Sequence, residues 1–201
     1  TPEIINQYVA SLNNRKKPYA PSSIARKVAA VKSFFNYLHA RDMIPSNPTE
    51  NIDSPKVEKR LPKTLASKEI AELLQAPARG NTPKHLRDLA LLHMLYATGM
   101  RVSEVVNLQL NDVDLPNEIL MVTMREEVPL QNEMNQILSV YLAEGRPYLV
   151  KDPKETALFL NHRGQQLTRQ GLWLIIKSYA RDAELSSEVT PHTLRHSFAQ
   201  H

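Results

Sequence analysis

The sequence predicts a mainly α fold in two parts. An N-terminal helical domain occupies residues 1–50. After a linker at 51–62, a mixed α+β, mostly helical domain with a small antiparallel sheet occupies 63–201. Three observations carry this. Apolar residues recur at spacings of three and four through most of the chain, the period of amphipathic helices. Residues 51–62 are polar, contain proline and lack periodicity. Strand character is confined to short runs near 118–130 and 157–160.

Residues 1–12 read as a helix with Ile4, Ile5, Tyr8, Val9 and Leu12 on one side. The chain starts at Thr1 without an initiator methionine, so it reads as a fragment missing the start of its first domain. A basic loop containing Arg15, Lys16 and Lys17 leads to an amphipathic helix at 22–40. Its stripe is Ile24, Val28, Val31, Phe34, Phe35 and Leu38, with Arg26, Lys27 and Lys32 largely off it. Pro45-Ser46-Asn47-Pro48 ends this unit. Beyond the linker, helices are expected at 67–75, 83–98 and 102–108, with Gly99 breaking the second from the third. Strands at 118–123 and 127–130 are followed by a helix at 133–142, a short strand at 157–160 and a helix at 168–183 that carries Trp173 into the core. Thr190 is placed as the N-cap of a last helix, with Pro191 at its first position.

At 201 residues, 42% hydrophobic and 23% charged, the chain has an ordinary globular composition and can bury a real core. No apolar run is long enough for a membrane helix. The absence of cysteine removes disulfides, thiolate metal sites and cysteine nucleophiles, and fits a reducing compartment. The net charge of +4 is uneven. Residues 1–60 hold ten Lys/Arg against five Asp/Glu, and the remainder fifteen against sixteen. A basic N-terminal third fits a polyanion partner, and equally a merely solvated surface.

Two constellations carry chemistry. His192 and Arg195 are three residues apart, on one face of the last helix. This sets a titratable group beside a fixed cation, a pairing that suits work on a phosphodiester but is by itself a weak signal. Arg101 follows the break at Gly99, at a helix start where backbone N–H groups attract anions, and Glu104 one turn on can hold its guanidinium. Taken alone, Arg101 and Glu104 are more simply a surface ion pair. His192 and His196 also have a zinc-chelating spacing, but no glutamate lies between them and no clear third ligand follows except His201. No metal is therefore assigned, and His39, His85, His93 and His162 are read as ordinary.

Arg101 followed some ninety residues later by His-x-x-Arg-His resembles the tyrosine recombinase, or phage integrase, family, most closely its Xer-type members. Residues Ile44-Pro45-Ser46-Asn47-Pro48, Leu61-Pro62-Lys63-Thr64-Leu65, the run Leu108 to Asp114 and Val128-Pro129-Leu130 match further family motifs in order. The resemblance implies a SAM-like core-binding domain at 1–50 and a catalytic domain at 63–201, clamped around double-stranded DNA. It implies cleavage through a tyrosine nucleophile and a 3′-phosphotyrosyl intermediate, with no cofactor, and four protomers on two synapsed sites in a bacterial or archaeal cytoplasm. Arg101 and Arg195 would grip the scissile phosphate, His192 would move a proton, and Glu104 would support Arg101. Arg15, Lys16, Lys17, Arg26, Lys27 and Lys32 are candidate DNA contacts.

The chain departs from the family in two places. None of its seven tyrosines stands after the Arg195 motif, so the nucleophile is expected outside these residues and Tyr179 is a poor substitute. Family hairpins carry a Gly- and Lys-rich turn, whereas only Met124 and Arg125 separate Thr123 from Glu126. That is poor chemistry for a tight turn, so residues are expected to be missing there and no catalytic lysine is assigned. A regulator or decayed recombinase that binds DNA without cutting it remains the rival reading. A helical protein–protein adaptor is a more distant third.

Overall fold

Thr82 and Pro83 start the helix on which the larger unit is built. In a computed structural model that describes residues 1–14, 18–53, 65–123, 127–185 and 189–198, the Thr82 hydroxyl accepts from the His85 backbone N–H, and Pro83 takes the first turn. The chain divides into two compact units, Thr1–Leu61 and Pro62–His201.

The first unit contains α1 (Pro2–Asn13) and α2 (Pro21–Ala40). Ile5, Leu12, Ile24, Val28 and Ile52 form its small core. Asn47 closes it with an Asx turn, its side-chain oxygen accepting from the Thr49 N–H at 2.9 Å and the Thr49 hydroxyl at 2.7 Å. The expected stripe of α2 is only partly inside: Phe34 remains 58% exposed. The two described helices do not bring enough facing surface together to cover both Phe34 and Phe35.

The second unit contains α3 (Ser67–Gln75), α4 (Pro83–Thr98), α5 (Val102–Asn107), α6 (Asn132–Val140), α7 (Arg146–Leu149), α8 (Arg169–Asp182) and α9 (Pro191–Phe198). Ala90, Leu91, Leu92, Met94 and Leu95 are all buried, so α4 is covered nearly all round, as a central helix must be. Helices α3, α5, α6, α7 and α9 pack against it. The antiparallel sheet has the order β1 (Val113–Asp114), β2 (Ile119–Leu120), β3 (Val128–Pro129), with Val113 opposite Leu120 and Leu120 opposite Val128. The two expected strands thus pair over two residues each, and β1 is an addition. The junction expected to lack residues, 124–126, lies outside the described residues.

The expected helix at 133–142 continues farther. α6 passes through a π-helical turn, Tyr141–Gly145, into α7. Gly145 makes this possible, since a Cβ there would come within 2.7 Å of Tyr141 Cδ2 and 3.1 Å of Leu86 Cβ. The turn delivers Arg146 inward, where Nε donates to the Ala157 carbonyl at 3.0 Å and Nη2 to the Glu155 carbonyl at 2.7 Å. The expected strand at 157–160 is fully buried and, among the described residues, pairs through isolated bridges, Gln109 with Ala157 and Leu160 with Gln166. Trp173 is a correction: α8 buries Leu172, Ile176 and Ala180, and leaves Trp173 42% exposed with Lys177 Nζ 5.3 Å from its ring centroid.

His93 is not ordinary either. It is buried on α4 and hydrogen-bonded to the Leu74 backbone, and among the described residues its Nε2 has no partner. Burial holds its imidazole below the usual histidine range, against the opposing charge of Glu133 and the Leu74 bond. Below about pH 6.5 the unfolded chain therefore binds the proton more readily than the folded one. This group's contribution to stability is complete above that pH and is lost as pH falls through the lowered folded value. His93→Leu should make melting temperature less sensitive to acidification from pH 7.5 to 5. An unchanged sensitivity would count against the burial argument.

Candidate active site

Gly99 ends α4 in the left-handed region (φ 57°), where a residue without a Cβ carries no penalty. The reversal sets Arg101 at the N-cap of α5. An arginine side chain cannot accept the hydrogen bond that serine or aspartate accepts at this position. Glu104 compensates: Oε2 accepts from the Arg101 backbone N–H at 2.5 Å and Oε1 from Nη1 at 3.1 Å. One carboxylate thus starts the helix and holds the guanidinium. Glu104 is mostly covered, whereas the Arg101 side chain is 61% exposed, leaving it area for an anion.

α9 begins as its sequence requires. The Thr190 hydroxyl accepts from the Thr193 N–H at 3.2 Å, and the Thr193 hydroxyl accepts from the Thr190 N–H at 3.2 Å, a reciprocal cap made by two threonines. Leu194 is fully buried, His192 is exposed and Arg195 half-buried. Because α9 packs on α4, and the turn after α4 carries Arg101, one helix underlies all three residues. The side chain of His196 and the whole of His201, which completed the zinc arrangement, lie outside the described residues.

Of the candidate DNA contacts, Arg26 is exposed on α2 and Lys27 Nζ stands 4.9 Å from the Tyr19 ring centroid. Lys32 is engaged within the fold, its Nζ donating to the Ile52 carbonyl at 2.8 Å. Arg15, Lys16 and Lys17 lie outside the described residues. One cation escaped the sequence reading. Arg169, the first residue of α8, shares a hollow of about 440 Å³ with Ser103 and Asn107 of α5. The signal was its place directly after the Thr168 cap, whose hydroxyl accepts from the Gly171 N–H at 3.0 Å.

The phage integrase family pattern matches residues 63–201. The chain belongs to this family. The tyrosine recombinase XerC of Roseiflexus castenholzii is 49% identical over 193 residues, covering 93% of this chain and 61% of that protein. XerD of Halalkalibacterium halodurans is 40% identical, covering 100% of this chain and 68% of that one. The crystal structure of XerA recombinase matches with a TM-score of 0.62 at 30% identity, over 99% of this chain and 67% of that one. This phage integrase family chain is therefore Xer-like, and spans about six-tenths of the length of the XerC relative.

In a tyrosine recombinase the state of each tyrosine matters. Tyr179 donates its hydroxyl to Asp88 Oδ2 at 3.0 Å, and burial followed by the Asp88 charge pushes its pKa far up. Tyr141 is buried, donates to the Leu158 carbonyl at 2.9 Å, and burial pushes it up to about 12. Both hydroxyls are committed to the fold and are poor nucleophiles. Among the described residues no helix is long and apolar enough to cross a membrane.

Proposed function

We propose that this chain is the larger part of a site-specific DNA recombinase that cuts and rejoins double-stranded DNA by transesterification. A tyrosine outside residues 1–201 attacks the scissile phosphorus. Its oxygen–phosphorus bond forms as the bond to the 5′ oxygen breaks, leaving a 3′-phosphotyrosyl link and a 5′-hydroxyl. Arg101 and Arg195 bind the non-bridging oxygens and stabilise the charge of the pentacoordinate transition state. His192 takes part in the proton transfers. Glu104 orients Arg101, and Arg169 extends the cationic surface beside α5.

Residues 1–50 act as the core-binding domain and carry phosphate contacts at Arg15, Lys16, Lys17, Arg26 and Lys27, with Lys32 contributing whatever donors Ile52 leaves. Residues 51–62 link them to the catalytic domain at 63–201. Further protomers assemble on the synapsed DNA, in the cytoplasm. Binding is salt-sensitive because phosphate contacts dominate it.

The observation that carries the proposal is Arg101, presented at a helix start by Glu104 and backed by the same helix that seats His192 and Arg195. The test uses the full-length gene product on nicked suicide DNA bearing its site. A covalent protein–DNA adduct that survives denaturation is expected. Site binding without an adduct would instead support the non-catalytic regulator.

A further inference from the structure

We infer that Ser197 is a positioning residue for strand cleavage, setting the rotation of α9 so that His192 and Arg195 face the phosphate; this rests on the reading of the site proposed above. α9 is described over Pro191–Phe198, and most helical stability in a protein comes from the packing of one face against its neighbours. Its orientation must come from what its buried face touches. At about 100° per residue, Thr193, Leu194 and Ser197 cluster on the side of the helix roughly opposite His192 and Arg195.

That buried face carries a polar tie to the rest of the unit at Ser197. Ser197 is completely buried; its Oγ accepts from the Leu65 backbone N–H at 3.1 Å and donates to the Thr193 carbonyl at 3.0 Å. Leu65 is itself buried and precedes α3, 132 residues away in sequence. The relay Leu65 N–H to Ser197 hydroxyl to Thr193 carbonyl therefore fixes α9 against the segment that enters the catalytic unit. Leu194 packs in the core, but an apolar contact permits small rotations. A hydrogen bond to a buried backbone donor is directional, and leaving that donor unpaired is costly.

The hydroxyl touches neither His192 nor Arg195, so it acts through the setting of the helix. Displacing catalytic groups by about 1 Å can cost on the order of 100-fold in rate. Removing the hydroxyl should thus slow chemistry while leaving DNA affinity, which is spread over many phosphate contacts, almost unchanged.

The test compares the full-length wild type with Ser197→Ala, Ser197→Cys and Ser197→Thr on suicide DNA. Three quantities are measured: the rate of adduct formation at saturating DNA, the dissociation constant, and the melting temperature. Ala and Cys should slow adduct formation about 10- to 100-fold, because a thiol fills the space but is a weak acceptor. Their dissociation constants should stay within about twofold of wild type, since no phosphate contact is removed. Thr keeps the hydroxyl and should recover most of the rate.

Wild-type rates in Ser197→Ala would overturn the inference. So would rescue by Cys but not Thr, which would indicate packing alone, or a loss that only follows the unfolded fraction. If Ser197→Ala fails to fold, the contrast between Cys and Thr still decides. A wild type that binds its site but forms no adduct defeats the underlying reading and this inference together. A wild type that cleaves alongside an equally active Ser197→Ala defeats only the inference.

Discussion

Alanine at Arg101 or at Arg195 is expected to abolish strand cleavage by the full-length gene product while weakening site binding by no more than about tenfold. The asymmetry follows from where charge develops. Loss of one oriented donor to a transition-state oxyanion costs about 100- to 1,000-fold, and an arginine supplies both a fixed charge and several N–H groups. In the proposed complex, duplex affinity is the sum of many phosphate contacts, of which each arginine would supply one.

Lysine at either position should recover little cleavage, because a point charge does not reproduce the planar fork. Glu104→Gln should fall between: its amide oxygen can still accept from the Arg101 N–H and start α5, but its grip on the guanidinium is lost. Cleavage is read as covalent adduct on suicide DNA, and binding as a mobility shift. Retained cleavage in either alanine variant would remove that arginine from its assigned role. Equal losses of cleavage and binding would mean that it holds DNA without selective action on the transition state.

The local elements of the candidate site were legible because their signals are strong. Thr82 with Pro83, Gly99, and Thr190 with Pro191 mark helix ends by chemistry that acts within a few residues, and the expected bounds of α3 and α4 match the structure at both ends. The Arg101–Glu104 pair was readable for the same reason, since residues at i and i+3 meet in any helix. What was not legible depends on partners distant in sequence. β1 is two residues long, too short for an alternating pattern to register. The π turn depends on Gly145 fitting against Tyr141 and Leu86, which no local pattern announces. Lys32 looked like a free cation until Ile52 supplied a carbonyl. Trp173 looked like core because it is large and apolar, but Leu172 and Ile176 already fill the inward face of α8. Arg87 and Asp88 are adjacent charged residues that no local pattern marks, yet both are buried.

That buried pair supports the other large prediction: Asp88→Ala should destabilise the protein by about 3–5 kcal/mol. Asp88 Oδ1 accepts from Arg87 Nε at 2.8 Å and from Nη2 at 2.5 Å, while Oδ2 accepts from the Tyr179 hydroxyl at 3.0 Å. Arg87 Nη1 donates to the Leu160 carbonyl at 2.8 Å. The cluster pins α8 and the 157–160 segment onto α4. Burial raises the Asp88 pKa despite the opposing pull of Arg87, so desolvation of the carboxylate outweighs its partner's attraction. The pair is therefore not a large net source of stability as it stands; the damage comes from breaking it. Alanine would strand a guanidinium that is 4% exposed and leave the Tyr179 hydroxyl without its acceptor. A loss of this size is a large share of the roughly 5–15 kcal/mol that holds a domain together. Removing both charges with Arg87→Met and Asp88→Leu should cost much less than the sum of the two single changes, because neither charge is then left buried alone. Denaturant titration of the four proteins measures the coupling, and additive losses would show that the two side chains act independently. Asp88 variants that remain folded at low temperature should still form the covalent adduct, which separates this anchor of α4 from the role proposed for Arg101 and Arg195.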